Sequence, residues 1–347
     1  MDQVAAEPRV RALFIGVNGT NSKLCGCGTD VTAMLVDLRV QCAFQDMHFE
    51  NRILVDDSLL PGKMPTKGNI NEGINWLVHD QRRGDALFFF YSGHGRQVLS
   101  LNGNFEKDGL DEAICALDGD IKDDDLFKLL AGRVHAGVRL TCVFDCCHSG
   151  TIMDLPFELV GHSGHAARDR LHMSGIRSNN FTAGDVVVFS ACADSQTSVE
   201  VPNTADFGNG NRGAGGAATQ AFLWALANAY GLPLGEVVLK MRAFLAKKGY
   251  EQVPQLSSSR RIDLSMPFSL FGPLEVEQPL VHYVPQQYAS QFLSTNKARF
   301  KAPYTSPVAA SRIRFGARHE GPRQLQGDVP QQPGYQGAHR QSRSSSS

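Results

Sequence analysis

Apolar positions along this chain follow two alternating patterns. Continuous apolar runs bounded by turn residues cover 10–17, 52–55, 86–92, 138–145 and 185–191, with a shorter run near 252–256. Runs of this length, apolar at successive positions, predict strands buried on both faces of a parallel sheet. Between them, apolar residues recur every three or four positions over 30–40, 69–81, 124–130, 217–229 and 234–247, which predicts helices. The last is the clearest, with Leu234, Val237, Val238, Met241, Phe244 and Leu245 on one face and Lys240, Arg242 and Lys247 elsewhere. Strands alternating with helices predict an α/β fold, a mostly parallel sheet covered on both sides.

The pattern stops near residue 274. From 275 to 347 the chain is rich in Gln, Pro, Ser and Arg without a sustained period, so it lacks the apolar surface that would offset ordering entropy. The expected organisation is a short segment 1–9, one domain over 10–274 and a disordered tail over 275–347. Charge divides along similar lines. Residues 279–347 carry a balance of +7 and the remainder −8, although the whole chain sums to −1. A proline-rich ligand for a partner, a basic strap over the acidic body and an inert tail are all open readings of that segment.

Composition narrows the classes further. With 347 residues and 42% hydrophobic content, the chain can hold one large core plus an appendage. No stretch approaches 18 apolar residues, so no membrane span is expected, and the polar start MDQVAAEPRV does not read as a secretory signal. Eight cysteines sit mostly inside apolar runs without paired CxxC spacing, which predicts reduced thiols in a cytoplasmic protein. Gly213-Ala214-Gly215-Gly216-Ala217-Ala218 fits a dinucleotide fingerprint, but a polar stretch precedes it where a strand is needed. A glycine loop that lets a peptide backbone approach is the better reading.

Two strand tips carry chemistry. Tyr91-Ser92-Gly93-His94-Gly95 ends one apolar run and Asp145-Cys146-Cys147-His148-Ser149-Gly150 ends another. A thiol is a strong nucleophile only as thiolate, and imidazole exchanges protons near neutral pH, so the pair reads as a cysteine–histidine dyad. Alternation along a strand puts Val143, Asp145 and Cys147 on one face and Phe144 and Cys146 on the other. Cys147 is therefore the expected nucleophile, and Ser92 shares a face with His94. Asp145 precedes Cys147 by two residues, and Asp30 lies in another loop beyond a strand tip. Two carboxylates beside a scissile bond would pair a cationic side chain, Arg above all. For Asp30 alone, a helix N-cap is the competing reading.

FFFYSGHG followed by VFDCCHSG, with the later stretches GAGGAATQ and GYEQVPQLSSS, resembles the metacaspases, caspase-related cysteine peptidases, and most of all the type I enzymes of trypanosomatids. The resemblance implies a caspase-like three-layer α/β/α sandwich with a mostly parallel central sheet. It implies a dyad of His94 and Cys147, and a pocket of Cys27, Asp30, Ser92 and Asp145 that receives Arg or Lys before the cleaved bond. It also implies a calcium cofactor held by Asp111, Asp123, Asp124 and Asp154. On the residues alone, the ordinary reading of that acidic stretch is carboxylates that favour the dipole of the helix at 124–130 and cap it. The expected activity is a calcium-dependent endopeptidase acting as a monomer on protein substrates, without nucleic acid. Self-processing is expected at Arg168, Arg170 or Arg177 in the loop 161–182, or at Arg212. The competing reading is a catalytically silent regulator or scaffold acting through its tail.

Overall fold

The computed structural model describes residues 7–272 except 20–23, 59, 100–109, 148, 151, 162–170, 193–198, 208–212 and 229–230. The expected tail and its boundary lie outside the described residues.

In chain order the elements are β1 (Arg9–Gly16), α1 (Cys27–Phe44), β2 (His48–Val55), α2 (Lys67–Leu77), β3 (Ala86–Ser92), β4 (Gly95–Leu99), β5 (Leu110–Ala116) and β6 (Gly119–Lys122). There follow α3 (Asp123–Leu129), β7 (Arg139–Asp145), β8 (Phe157–Val160), β9 (His172–Met173), β10 (Asp185–Ser190), β11 (Glu200–Val201), β12 (Gly215–Gly216), α4 (Ala217–Asn228), α5 (Leu234–Lys247) and β13 (Gln255–Ser258). The main sheet runs β2-β1-β3-β7-β10-β13-β8-β9. Pairings from β2 through β10 are parallel, and β13, β8 and β9 extend the sheet antiparallel. The mostly parallel sandwich read from the sequence is thus the observed one.

Strand alternation sorts the core into two clusters. Ala12, Phe14, Phe88, Phe90 and Val143 pack on the side of α1, α4 and α5, whereas Leu13, Ile15, Leu87, Phe89, Tyr91, Cys142 and Phe144 pack on the side of α2 and α3. Each fully buried Phe or Leu contributes about 1.5–3 kcal/mol relative to exposure. That explains why apolar residues line both faces of these central strands.

Several bounds shift for physical reasons. β2 begins four residues before the expected run, because an edge strand needs no continuous apolar face and His48, Phe49, Glu50 and Asn51 are exposed or half-buried. The small antiparallel sheet β4-β5-β6 went unread, since β4 is short and half-exposed. Helix α1 starts at Cys27, three residues early, with Gly26 as N-cap and no side chain capping it. Asp30 therefore lies in the first helical turn, and the N-cap reading of Asp30 does not hold.

The register fixes the carboxyl ends that matter. Gly16 pairs with Ser92, and Ser92 pairs with Asp145. Beyond the last pair, Gly93 N–H donates to the Asp145 carbonyl at 3.2 Å. Three adjacent parallel strands thus end together, the setting in which open α/β sheets place their sites.

Candidate active site

A cleft of about 250 Å³ opens over those strand ends, lined by Leu24, Cys27, Asp30, Ser92, Gly93, His94, Asp145, Cys147, Val199, Glu200 and Gly216. All six residues assigned from the sequence to the dyad and its pocket face this one cleft.

The two adjacent cysteines part as alternation requires. Cys146 is 1% exposed in the cluster under α2 and α3, while Cys147 is half-buried at the cleft. Burial pushes the Cys146 thiol well above its usual range, reinforced by neighbouring cysteines and Asp145. Such a thiol stays protonated and is inert as a nucleophile. Gly95 explains how the two loops meet: a Cβ there would fall on the Cys147 carbonyl oxygen. The histidine segment is held by its backbone, since the His94 carbonyl accepts from Tyr91 Oη–H at 2.7 Å and from Cys115 N–H at 3.1 Å.

Asp30 is 1% exposed and Asp145 4%. Asp30 Oδ2 accepts from Ser92 Oγ at 2.9 Å and Gly216 N–H at 2.8 Å, and Oδ1 accepts from Gln220 Nε2 at 3.3 Å. Asp145 Oδ2 accepts from the amide and hydroxyl of Thr219, both at 2.7 Å. Gly216 and Thr219 bracket the start of α4, where backbone amides and the helix dipole favour negative charge. Burial nevertheless pushes the Asp30 carboxyl well above its usual range, with repulsion from Asp145 adding to the effect. Two like charges so deeply buried resist joint ionisation. Cys27 forms part of the wall: its Sγ donates to the Val17 carbonyl, and burial raises its thiol.

The glycine pair has a specific use. A Cβ on Gly215 would lie 2.7 Å from Asp30 Oδ1, and one on Gly216 would fall on Asp145 Oδ2. The two glycines thus let the chain pass close against both buried carboxylates.

A family model for the metacaspase, peptidase C14 domain matches residues 10–156. Metacaspase-5 of Trypanosoma cruzi (strain CL Brener) is 50% identical over 289 residues, which cover 81% of this chain and 64% of that protein. Metacaspase-2 of Trypanosoma brucei brucei (strain 927/4 GUTat10.1) is 47% identical over 279 residues, covering 78% of this chain and 79% of that protein. The chain belongs to the metacaspases. This metacaspase thus spans less than two thirds of the metacaspase-5 it matches. In fold alone it is similar to the crystal structure of protein GSU0716 from Geobacter sulfurreducens, with a TM-score of 0.52 at 23% identity, covering 77% of this chain and 100% of that one.

The acidic stretch of this metacaspase is placed differently from the cleft. Asp111 lies on β5 and pairs with Lys122 Nζ at 2.6 Å. Asp123 and Asp124 open α3, where Asp123 Oδ1 accepts the Asp124 amide at 2.7 Å and Asp124 pairs with Lys128 at 3.3 Å. Asp154 follows β7 with φ 43° and offers its carbonyl to Ser178. Among the described residues no three His, Cys, Asp or Glu side chains stand together as a metal-binding group. The carboxylates of Asp123, Asp124 and Asp125 fill the first turn of α3, where the helix dipole favours them, but its N-cap is Lys122 and no side chain caps it.

Sequence reasoning missed Glu200, Thr219 and Gln220. The last two sit inside GAGGAATQ, so that motif pointed to them. Glu200 lies in a stretch without period or motif, and no signal marked it.

Proposed function

We propose that this chain is a cysteine endopeptidase that cleaves protein substrates after Arg or Lys. The observation that carries the reading is the cleft itself, where His94 and Cys147 stand beside the buried carboxylates of Asp30 and Asp145. In the proposed reaction the Cys147 thiolate attacks the scissile carbonyl carbon, forming a C–S bond. His94 passes a proton to the departing amine, and the C–N bond breaks. Water, deprotonated by His94, then hydrolyses the thioester and returns the thiol. Backbone N–H groups around Gly95 and Cys147 would hold the oxyanion, the Gly93 amide being spent on the Asp145 carbonyl.

Specificity follows from charge. A guanidinium or ammonium entering the cleft would relieve the repulsion between Asp30 and Asp145, whereas an Asp side chain would add a further negative group. Cleavage of peptides differing only as Arg, Lys, Asp or Asn before the scissile bond tests the reading. Turnover of Arg and Lys far above that of Asp and Asn supports it, and equal turnover of Asn would sink it.

Calcium is the proposed activator. Asp111, Asp123, Asp124 and Asp154 offer only carboxylate oxygens, a donor set that suits a hard divalent cation. Binding there requires rearrangement, because Lys122 holds Asp111 and the four are not gathered as they stand. A bound ion would supply the charge that lets them converge, ordering the segment between β7 and β8. Self-processing completes the proposal. Arg177 is held by Glu158 at 2.5 Å, so cutting there is disfavoured. Arg168, Arg170 and Arg212 remain the proposed sites and lie outside the described residues.

A further inference from the structure

Glu200 is the third carboxylate of the cleft. It lies on β11, opposite Gly216 of β12, and its side chain lines the cleft with Asp30 and Asp145. Its Oε1 accepts from Cys25 N–H at 2.6 Å and from Gly26 N–H at 2.7 Å, immediately ahead of α1. Those two bonds fix the side chain, and they place its charge at the positive end of an 18-residue helix that lacks a capping side chain. Its other oxygen, Oε2, accepts nothing among the described residues.

The three carboxylates differ in remaining capacity. Asp30 uses both oxygens on three protein donors, and Asp145 spends Oδ2 on Thr219. Both are almost fully buried, whereas Glu200 is half-buried. Guanidinium carries five N–H donors in a planar fork, more than a pair of largely satisfied buried carboxylates can accept. We propose that Glu200 is a specificity-determining residue of this cleft, its Oε2 contacting the cationic side chain of the substrate. The inference rests on the cation-pocket reading given above.

Glu200→Gln is the discriminating variant. An amide oxygen can still accept from Cys25 and Gly26, so the loop ahead of α1 stays tied while the charge is removed. Kinetics are measured with peptides carrying Arg or its neutral isostere citrulline before the scissile bond, with Asp145→Asn alongside. For Glu200→Gln, KM for the Arg peptide is expected to rise about tenfold with kcat unchanged, and the citrulline peptide should be unaffected. An unaltered KM for Arg, with Asp145→Asn still raising it, overturns the role of Glu200 and leaves the pocket reading intact. If neither variant alters KM, the pocket reading itself falls and this inference with it. An equal loss of kcat for both peptides would make Glu200 merely structural, which also overturns the proposal.

Discussion

Asp30 and Asp145 reach one cleft from a helix and a strand, and the backbone of Gly216 runs between them. Its N–H donates to Asp30 Oδ2 at 2.8 Å, and its missing Cβ leaves the space that Asp145 Oδ2 occupies. Gly216→Ala should therefore push Asp145 out of place. We expect cleavage after Arg to fall about tenfold to a hundredfold, as for loss of one charge-assisted contact. Near-normal kcat/KM in a folded Gly216→Ala protein would show that this spacing does not matter.

Cys147→Ala should abolish peptide cleavage, since removing a covalent nucleophile costs roughly a millionfold in comparable enzymes. Cys146→Ala should retain activity and lose stability on the order of 1 kcal/mol, because that thiol is core. Parallel hydrolysis and urea unfolding of the two variants decide the matter. Activity that follows Cys146 would reverse the assignment.

Asp30 carries a pH signature. Its folded-state pKa lies well above its usual 3.8, so the folded protein holds a proton there that the unfolded chain releases. The stability due to protonated Asp30 is fully present below 3.8 and is lost as pH rises through the folded value. Asp30→Asn stays neutral and does not lose it. Unfolding free energies of the two proteins, measured from pH 4 upward as expected working conditions (~4 to 8), should therefore drift in favour of the Asn variant. A flat or opposite drift would mean that Asp30 ionises freely.

Proteolytic activity should require calcium in the range of about 0.1–1 mM, the weak end for sites that are not pre-formed loops. Asp123→Ala with Asp124→Ala should remove calorimetric calcium binding. Lys122→Met, which frees Asp111 from its 2.6 Å ion pair, should lower the calcium needed for half-maximal activity. Full activity in chelator would end the proposal.

Self-cleavage should yield new termini after Arg168, Arg170 or Arg212 and leave Arg177 uncut, because Glu158 retains its guanidinium. Incubating the active protein and Cys147→Ala with calcium and sequencing the fragments tests this. Identical fragments from both would point to a foreign protease.

What could be read in advance follows the physics of burial. The strands β3 and β7 carry apolar residues on both faces, so their runs declare them, and alternation alone separates Cys147 from Cys146. Asp30 was found as chemistry but misplaced as structure: Gly26 caps α1 without a side chain, and the helix start carries no capping motif. Glu200 was invisible, because its partners are the backbone amides of residues 174 and 175 positions away. Backbone amides have no residue identity for a pattern to reveal. The acidic stretch was legible as composition, yet composition does not say that Lys122 would sit against Asp111.

The borders of the main sheet bear on how copies of this protein meet. At one border β9 is only two residues long, too short to template another strand. At the other, Lys63 N–H donates to the Ile53 carbonyl and the Lys63 carbonyl accepts from Val55 N–H, which closes the carboxyl half of β2. The rest of β2 carries His48, Glu50 and Arg52, charged or ionisable groups that discourage an incoming strand. Joining two molecules by continuing the sheet from one into the next would mean dislodging Lys63 and desolvating those side chains, so self-association along this seam is penalised from both ends.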